Sequence, residues 1–319
     1  MPVNSLNQLS SRAIIGRYYE TLEGVSLANW VNAISMPFTS DQDSETYKWL
    51  GMTPAMREWV GGRQAKGLRT GGITVDNVHY ESTLDIPVED IRRDKTSQIM
   101  LRVDELAARS VQHWNGLLST LINNGASTAC YDGQFFFDTD HSEGDSGTLS
   151  NDLEAGTYAN LNVGTATAPT ADEMAKCILD VAMHFYTFKD DQGEPLNEDA
   201  NQFVVMAGAN PIGTAAKLAV SQNMLDTGSG TRDNPIKGAG LMIDAVINPR
   251  ITSTTAFYVF RTDGRVKPLI RQTETDGELK AIAEGSELEF NDGIWRFGVD
   301  AWRAVGYGLW QHACMATLS

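Results

Sequence analysis

The sequence predicts an α+β chain, with helices and an antiparallel sheet in mixed order and two extended appendages. Three observations carry this. Apolar residues recur at helical spacing across 95–124 and again after Pro169. Strand-like runs fill 202–207 and most of the chain beyond 240. The first 94 residues hold many large apolar and charged side chains with little regular period. The 319 residues, 42% hydrophobic and 21% charged, allow one large domain or two modest ones.

Residues 1–60 read as an N-terminal arm with one or two short helices, weakly amphipathic from Asn4 to Tyr19. Between Thr39 and Trp59 the chain carries Tyr47, Trp49, Leu50, Met52, Met56 and Trp59 irregularly. Such side chains must bury against something, a neighbouring chain included. Residues 61–94 read as an extended β-hairpin. Gly61-Gly62 opens it, Gly71-Gly72 punctuates it, and Ile73, Val75 and Asn77 alternate with Thr74, Asp76 and Val78 before the run His79 to Ile86. Arg63, Lys66, Arg69, Asp76, Glu81 and Asp85 make both its faces polar. A two-stranded ribbon without an apolar face is marginal alone in water, so it is expected to lie across a neighbour.

Residues 95–124 predict the clearest helix, capped by Thr96 or Ser97 and stopped by Asn123-Asn124-Gly125. Its stripe is Ile99, Val103, Leu106, Trp114, Leu117 and Leu121. At about 1.5 Å per residue it runs roughly 40 Å, the length of a structural spine. Residues 142–168 read as a long loop. Thr170 and Glu173 are spaced as a capping box before a stripe of Met174, Cys177, Ile178, Val181, Phe185 and Phe188. A buried strand follows at 202–207, then a helix with Asn210 as cap and Pro211 in its first turn. After a polar loop at 221–238, strands are expected at 240–247, 256–261, 266–272, 286–290 and 294–310. The last alternates through Trp295, Phe297, Val299, Val305, Tyr307 and Leu309, as a closing strand would.

Charge and composition exclude several classes. Forty-one acidic against 25 basic residues give a net charge of −16. That opposes a surface that grips phosphate backbone, though not a container whose inner wall leaves its contents free. No apolar run reaches the roughly 18 residues of a membrane span. The segment Met1 to Ser11 lacks the apolar centre of a signal peptide. Cys130, Cys177 and Cys314 are odd in number, form no CxxC pair and sit among apolar residues, as small buried hydrophobes in a reducing compartment would.

The densest candidate chemistry lies between Cys130 and His141. Asp132, Asp138, Asp140 and His141 offer carboxylate and imidazole ligands for a metal-dependent hydrolase, and Asp132 with Asp138 an acid–base pair. The structural alternative is an Asp132-Gly133 turn, a buried aromatic strand and a second acidic turn. The structural reading is preferred, because no second ligand motif follows. Cys130 with His141 or His113 as base lacks the positive surroundings a thiolate needs. Neither Gly61-Gly62, Gly67 to Gly72 nor Gly228-Ser229-Gly230-Thr231 matches a phosphate-cradling loop. Trp295, Trp302 and Trp310 lack the flanking cations of a base-stacking platform and are expected in the core. No catalytic, cofactor or metal residue is assigned.

Three ordered motifs identify a resemblance. Glu45-Thr46-Tyr47-Lys48-Trp49-Leu50-Gly51 is followed by Pro54, Met56-Arg57-Glu58-Trp59 and Gly62-Arg63. Tyr80-Glu81-Ser82-Thr83 leads to Val88-Glu89-Asp90-Ile91, and Tyr131-Asp132-Gly133-Gln134 to Phe136-Phe137-Asp138-Thr139-Asp140-His141. Together they resemble the Mu-like phage major head subunit family over roughly 39–141, with a matching Gly306-Tyr307-Gly308 near the end. The resemblance implies the Hong Kong 97-type capsid fold. It divides the chain into an N-terminal arm (1–60), an extended hairpin loop (61–94) and a peripheral domain with a spine helix (95–164). An axial domain (165–262) and closing strands of the peripheral domain (263–319) follow.

It also implies a non-enzymatic major capsid protein. Hexamers and pentamers of it would form the icosahedral head of a tailed double-stranded DNA phage, assembled in the host cytoplasm and ending in the virion. The expected partners are further copies, a portal, decoration proteins and a separate scaffolding protein, because no long coiled segment precedes the fold. Double-stranded DNA would be enclosed without sequence-specific binding, and no membrane is expected. The sequence also departs from the family in mixing Arg92, Arg93 and Lys95 into the acidic stretch after the hairpin. The expected polar subunit contacts are Arg57, Glu58, Arg63, Lys66, Arg69, Asp76, Glu81 and Asp85, with Trp49, Met56 and Trp59 as apolar anchors. A nanocompartment shell of the same fold is the alternative container.

Overall fold

The computed structural model describes residues 10–48, 72–93 and 97–319. Trp49, Met56, Arg57, Glu58, Trp59, Arg63, Lys66 and Arg69 lie outside the described residues. Helix α1 (Ser11–Gly24) begins where Ser10, in extended conformation, accepts the amide of Ala13. Helix α2 (Asn29–Ile34) runs directly into β1 (Ser35–Thr39). Strands β2 (Ser44–Tyr47) and β3 (Ile73–Asp76) pair antiparallel, with Tyr47 opposite Ile73. Next come β4 (Val78–Pro87), α3 (Val88–Arg93) and the long α4 (Gln98–Asn123).

Short strands β5 (His141–Ser142), β6 (Thr148–Leu149) and β7 (Asp152–Glu154) interrupt the expected loop at 142–168. Helix α5 (Ala171–His184) starts with the complete Thr170–Glu173 capping box. Strand β8 (Gln202–Ala207) and α6 (Pro211–Ser221) follow, and the Asn210 side chain accepts the Gly213 amide at 3.1 Å. The segment 221–238 holds a small ribbon, β9 (Met224–Asp226) with β10 (Thr231–Asp233), and one turn of helix, α7 (Pro235–Gly238). The remainder is β11 (Met242–Ile247), β12 (Ala256–Arg261), β13 (Leu269–Ile282), α8 (Glu287–Asp292), β14 (Ile294–Tyr307) and β15 (Ala313–Thr317).

Two sheets organise these elements. One has the order β1-β13-β14-β4 and the other β11-β8-β12-β15-β7. Helix α4 is long because it belongs to both cores. Its first half buries Ile99, Val103 and Ala107 beside Ile14, Tyr18, Phe297 and Val299. Its second half sends Trp114, Leu118 and Ile122 into the larger core with Met174, Ile178, Val205 and Phe257.

Several expectations change. Residues 11–24 are not a free arm. Ile14 and Tyr18 are fully buried against α4, and Arg17 grips Asp104 with two hydrogen bonds of 2.7 and 2.8 Å. The hairpin expected at 61–94 is displaced. β3 pairs with β2 upstream of 49–71, whereas β4 pairs with β14 from Val78 opposite Arg303 to Pro87 opposite Ile294. The alternation of 73–86 is one nearly continuous strand run, but its partners are distant in sequence, and alternation alone does not identify them. Ser97 is no side-chain cap: it sits in the left-handed region at φ 55° with no side-chain hydrogen bond to the helix. The strand expected at 286–290 is α8, because Ser286 caps the Glu289 amide and Gly293 at φ 65° ends the helix. The closing strand stops at Tyr307. β15 then crosses to the second sheet between β12 and β7, so the last segment serves both sheets.

Candidate assembly interface and the His141 cluster

The β2–β3 ribbon is the fixed root of segment 49–71. Tyr47 buries its ring beside Phe38 (centroids 5.0 Å apart) and donates to Gln272 Oε1 at 2.8 Å. Burial pushes the Tyr47 hydroxyl up to about 12. Gln272 Nε2 in turn donates to the Val75 carbonyl (3.2 Å) and to Asn77 Oδ1 (2.9 Å). Val75 packs so closely over Gly306 that a Cβ there would lie 2.6 Å from Val75 Cγ2.

The described polar contact residues are all exposed. Asp76 ends the ribbon. Glu81 accepts from the Thr83 hydroxyl at 2.8 Å. Asp85 has an in-chain partner, Arg296, through two 2.7 Å bonds across β4 and β14 that hold its carboxyl below the usual range. Sequence reasoning missed the exposed apolar residues. Phe290 on α8 is 90% exposed and Leu101 on α4 is 65% exposed. Trp302 is 39% exposed and stacks on His79 at 4.6 Å, in contrast to the buried Trp295 and Trp310. Between α4 and β4–β14 lies a cavity of about 240 Å³ lined by Tyr80, Glu81, Arg109, His113 and Arg303.

The Cys130–His141 segment folds into a hydrogen-bonded knot rather than an open site. His141 is fully buried, stacks on Trp310 with centroids 3.9 Å apart and places Nδ1 2.7 Å from Asp132 Oδ2. Its Nε2 lies 3.2 Å from Asn151 Oδ1. Asn151 Nδ2 donates to the carbonyls of Phe136 (2.8 Å), Trp310 (3.3 Å) and Ala313 (3.1 Å), while Oδ1 accepts the Asp138 amide at 2.9 Å. The amide orientation is thereby fixed, and both ring nitrogens of His141 face oxygen atoms. Despite the desolvation that opposes it, hydrogen bonds from His141 and Cys130 hold the Asp132 carboxyl below its ordinary value.

Among the described residues, Cys130, Asp132 and His141 bring a sulfur, an oxygen and a nitrogen within 4.8 Å of one another, as a metal ion would need. The other two expected ligands do not join them. Asp138 accepts the Phe135 and Thr139 amides (3.2 and 2.7 Å), and Asp140 accepts Gln134 Nε2 at 2.8 Å and is pushed up by Asp138 beside it. Cys130 donates to Asp132 Oδ1 at 2.9 Å, and burial pushes its thiol up, the reverse of an activated nucleophile. His113 is elsewhere, edge-on to Tyr80 at 4.5 Å. The cluster's donors satisfy one another.

A long helix threading two cores, a four-stranded sheet built on a hairpin of two 14-residue strands and a ribbon at its far end define the Hong Kong 97-type capsid fold. Solved shells share it. The procapsid protein of bacteriophage JBD30 aligns with a TM-score of 0.55 at 20% identity, covering 98% of this chain and 77% of that one. The capsid of a native GTA particle gives 0.55 at 9% identity, covering 92% of each chain. A virus-like particle from Pyrococcus furiosus gives 0.52 at 11%, covering 96% and 98%, so the fold alone does not separate one container from another.

The sequence separates them. The family model for the Mu-like prophage major head subunit gpT matches residues 10–170 and 233–318, and the chain belongs to that family. The Mu-like prophage FluMu major head subunit of Haemophilus influenzae is 30% identical over 271 residues, 85% of this chain and 60% of the relative. The major capsid protein of Escherichia phage Mu is 33% identical over 110 residues, 34% of this chain and 36% of the relative. The chain thus spans about 60% of the FluMu subunit's length.

Proposed function

We propose that the chain is a major capsid protein, structural rather than enzymatic, whose copies close as hexamers and pentamers into the icosahedral head of a tailed phage around double-stranded DNA. The observation that carries this reading is the β2–β3 ribbon. It is locked at its root by Tyr47, Val75 and Gln272, and it carries between its strands a 23-residue segment with Trp49, Met56 and Trp59. In this reading its apolar side chains meet a neighbour, with Arg57, Glu58, Arg63, Lys66 and Arg69 as polar contacts and Asp76 and Glu81 at or beyond its root. Obligate interfaces of this kind bury on the order of 2,000–5,000 Å². A net charge of −16 keeps most of the surface from gripping the enclosed DNA. A scaffolding protein, the portal and decoration proteins are the further partners this role requires.

Negative-stain electron microscopy of the purified protein, alone and co-expressed with its scaffolding partner, tests the reading. Closed shells, or free hexamers and pentamers, are the expected result. A persistent monomer in both preparations would overturn it.

A further inference from the structure

We propose that Cys130, Asp132 and His141 form a structural site for a thiophilic divalent cation of the zinc class, which fastens the loop after α4 to the crossing between the two sheets. The site does not depend on the shell-subunit reading and carries no reaction. Three kinds of donor converge there. Cys130 Sγ, an Asp132 carboxylate oxygen and a His141 ring nitrogen all lie within 4.8 Å of one another. Ligand atoms around a tetrahedral zinc are roughly 3–4 Å apart, so closing on an ion takes side-chain shifts of about an ångström.

A tight turn and a returning strand build the site. The Cys130 amide donates to the Gln134 carbonyl at 2.8 Å, the Gly133 amide to the Cys130 carbonyl at 3.2 Å, and Gly133 adopts a φ of 95°. The turn brings the Cys130 thiol to 2.9 Å from Asp132 Oδ1. β5 then returns His141, whose ring is held in place. Trp310 stacks on it, and Nε2 lies 3.2 Å from Asn151 Oδ1, an amide itself fixed by three carbonyls. Nδ1 is left as the ligand nitrogen, 2.7 Å from Asp132 Oδ2. An oxygen on the second ring nitrogen is how proteins orient a metal-binding imidazole. The side chains of His141 and Asp132 are 0% and 2% exposed, the closed surroundings of a structural site rather than a catalytic one. Glu143, buried two residues beyond His141 on the same face, supplies the fourth ligand by exchanging its hydrogen bond with Tyr131 for the ion.

Ligand chemistry and charge select the ion. Calcium and magnesium take oxygen ligands, whereas sulfur and imidazole nitrogen favour zinc. Each of the short contacts, Sγ–Oδ1 and Nδ1–Oδ2, holds a proton, without which the atoms could not approach so closely. A divalent ion bound by thiolate, imidazole and carboxylate displaces both. Two positive charges enter as two protons leave, and the net charge of the buried site is unchanged. That balance offsets the cost of burying a bare cation. Burial keeps the Cys130 thiol protonated in the absence of an ion, but a coordinating thiol loses its proton outright.

Cobalt substitution tests this on the whole chain, without an affinity tag and stripped of metal by a chelator. Cobalt(II) should bind one ion per chain, with a thiolate-to-cobalt charge-transfer band and the intense visible absorption of a tetrahedral site. Zinc should displace it, release about two protons per ion and raise Tm. Cys130→Ser keeps a hydroxyl beside Asp132. It should remove the thiolate band and weaken zinc binding by more than the roughly 10–100-fold that loss of an outer-shell partner costs. Cys177→Ser should keep both, because that thiol faces the Asn160 carbonyl instead. X-ray absorption of the zinc-loaded wild type should show one sulfur among nitrogen and oxygen ligands, and it decides the matter if Cys130→Ser does not fold. A wild-type cobalt spectrum without the thiolate band, a band that persists in Cys130→Ser, or a zinc shell without sulfur would overturn the proposal.

Discussion

Asn151 is fully buried, and its one side chain holds the backbone of Phe136, Asp138, Trp310 and Ala313 while facing His141. Replacing it by leucine removes a donor from three buried carbonyls and the acceptor of the Asp138 amide, although the Trp310 carbonyl keeps the Ala313 amide. The expected loss is about 3–5 kcal/mol in urea denaturation, since each orphaned group costs about 1–3 kcal/mol and the network partly relaxes. A loss below about 1 kcal/mol would show that water reaches the knot. Asp132, Asp138, Asp140 and His141 stand out in the sequence because acids and imidazole are dense there, but that density does not reveal their use. Asn151 gives no signal, because an Asn between Ser150 and Asp152 reads as a turn.

Asp152 makes the second residue-scale prediction. Burial pushes its carboxyl up to about 6, with Glu154 and Asp138 adding to the effect, and its Oδ1 has no hydrogen-bond partner. The folded state thus holds a proton that the unfolded state has released, so stability falls as pH rises from about 4 through 6. With partial exposure discounted, the effect is on the order of 1–2 kcal/mol. Asp152→Asn should therefore raise Tm at pH 8 by roughly 2–4 °C and flatten its pH dependence between about 4 and 6. An unchanged slope would show that Asp152 is well solvated.

At the scale of elements, helices are the most legible because their signals are local. The Thr170–Glu173 box and the Asn210-Pro211 start form as the spacing predicts. The stripe of α4 is buried at Ile99, Val103 and Trp114, but it continues through Ala107, Leu118 and Ile122, leaving the expected Leu106, Leu117 and Leu121 half-buried. α8 was misread because Leu288 and Phe290 alternate like a strand, while the cap at Ser286 and the stop at Gly293 decide otherwise. β15 was missed because Gly308, not a polar run, turns the chain. Its amide donates to the Pro268 carbonyl at 2.7 Å. The register of β2 with β3 was beyond reach, since segment 49–71 separates them. Gly306 shows what that pairing requires. Val75 is buried and stiff, so Gly306→Ala must push β3 outward and is expected to cost about 1–3 kcal/mol. Hydrogen exchange should locate the loosening at 44–47 and 73–76. Protection unchanged there would mean that Val75 is not what seats the ribbon.

At the scale of the whole molecule, the proposed function assigns folding and assembly to different residues. The buried side chains of the described cores come from α1 to α7, the two sheets and the turns between them. Segment 49–71 carries the opposite charge and a concentration of tryptophan and methionine, a composition suited to meeting another copy. Deleting 49–71 separates the two roles. With Lys48→Asn, the deletion leaves Asn-Gly between Tyr47 and Ile73, the pair that favours a tight hairpin turn across the existing register. Such a chain should fold, with Tm within about 3 °C of the parent, because no described core contact is lost and the closed loop is shorter. It should remain monomeric where the parent forms shells. A Tm lowered by more than about 10 °C would place the segment in the chain's own core, and shells of normal yield would remove it from the contacts between copies.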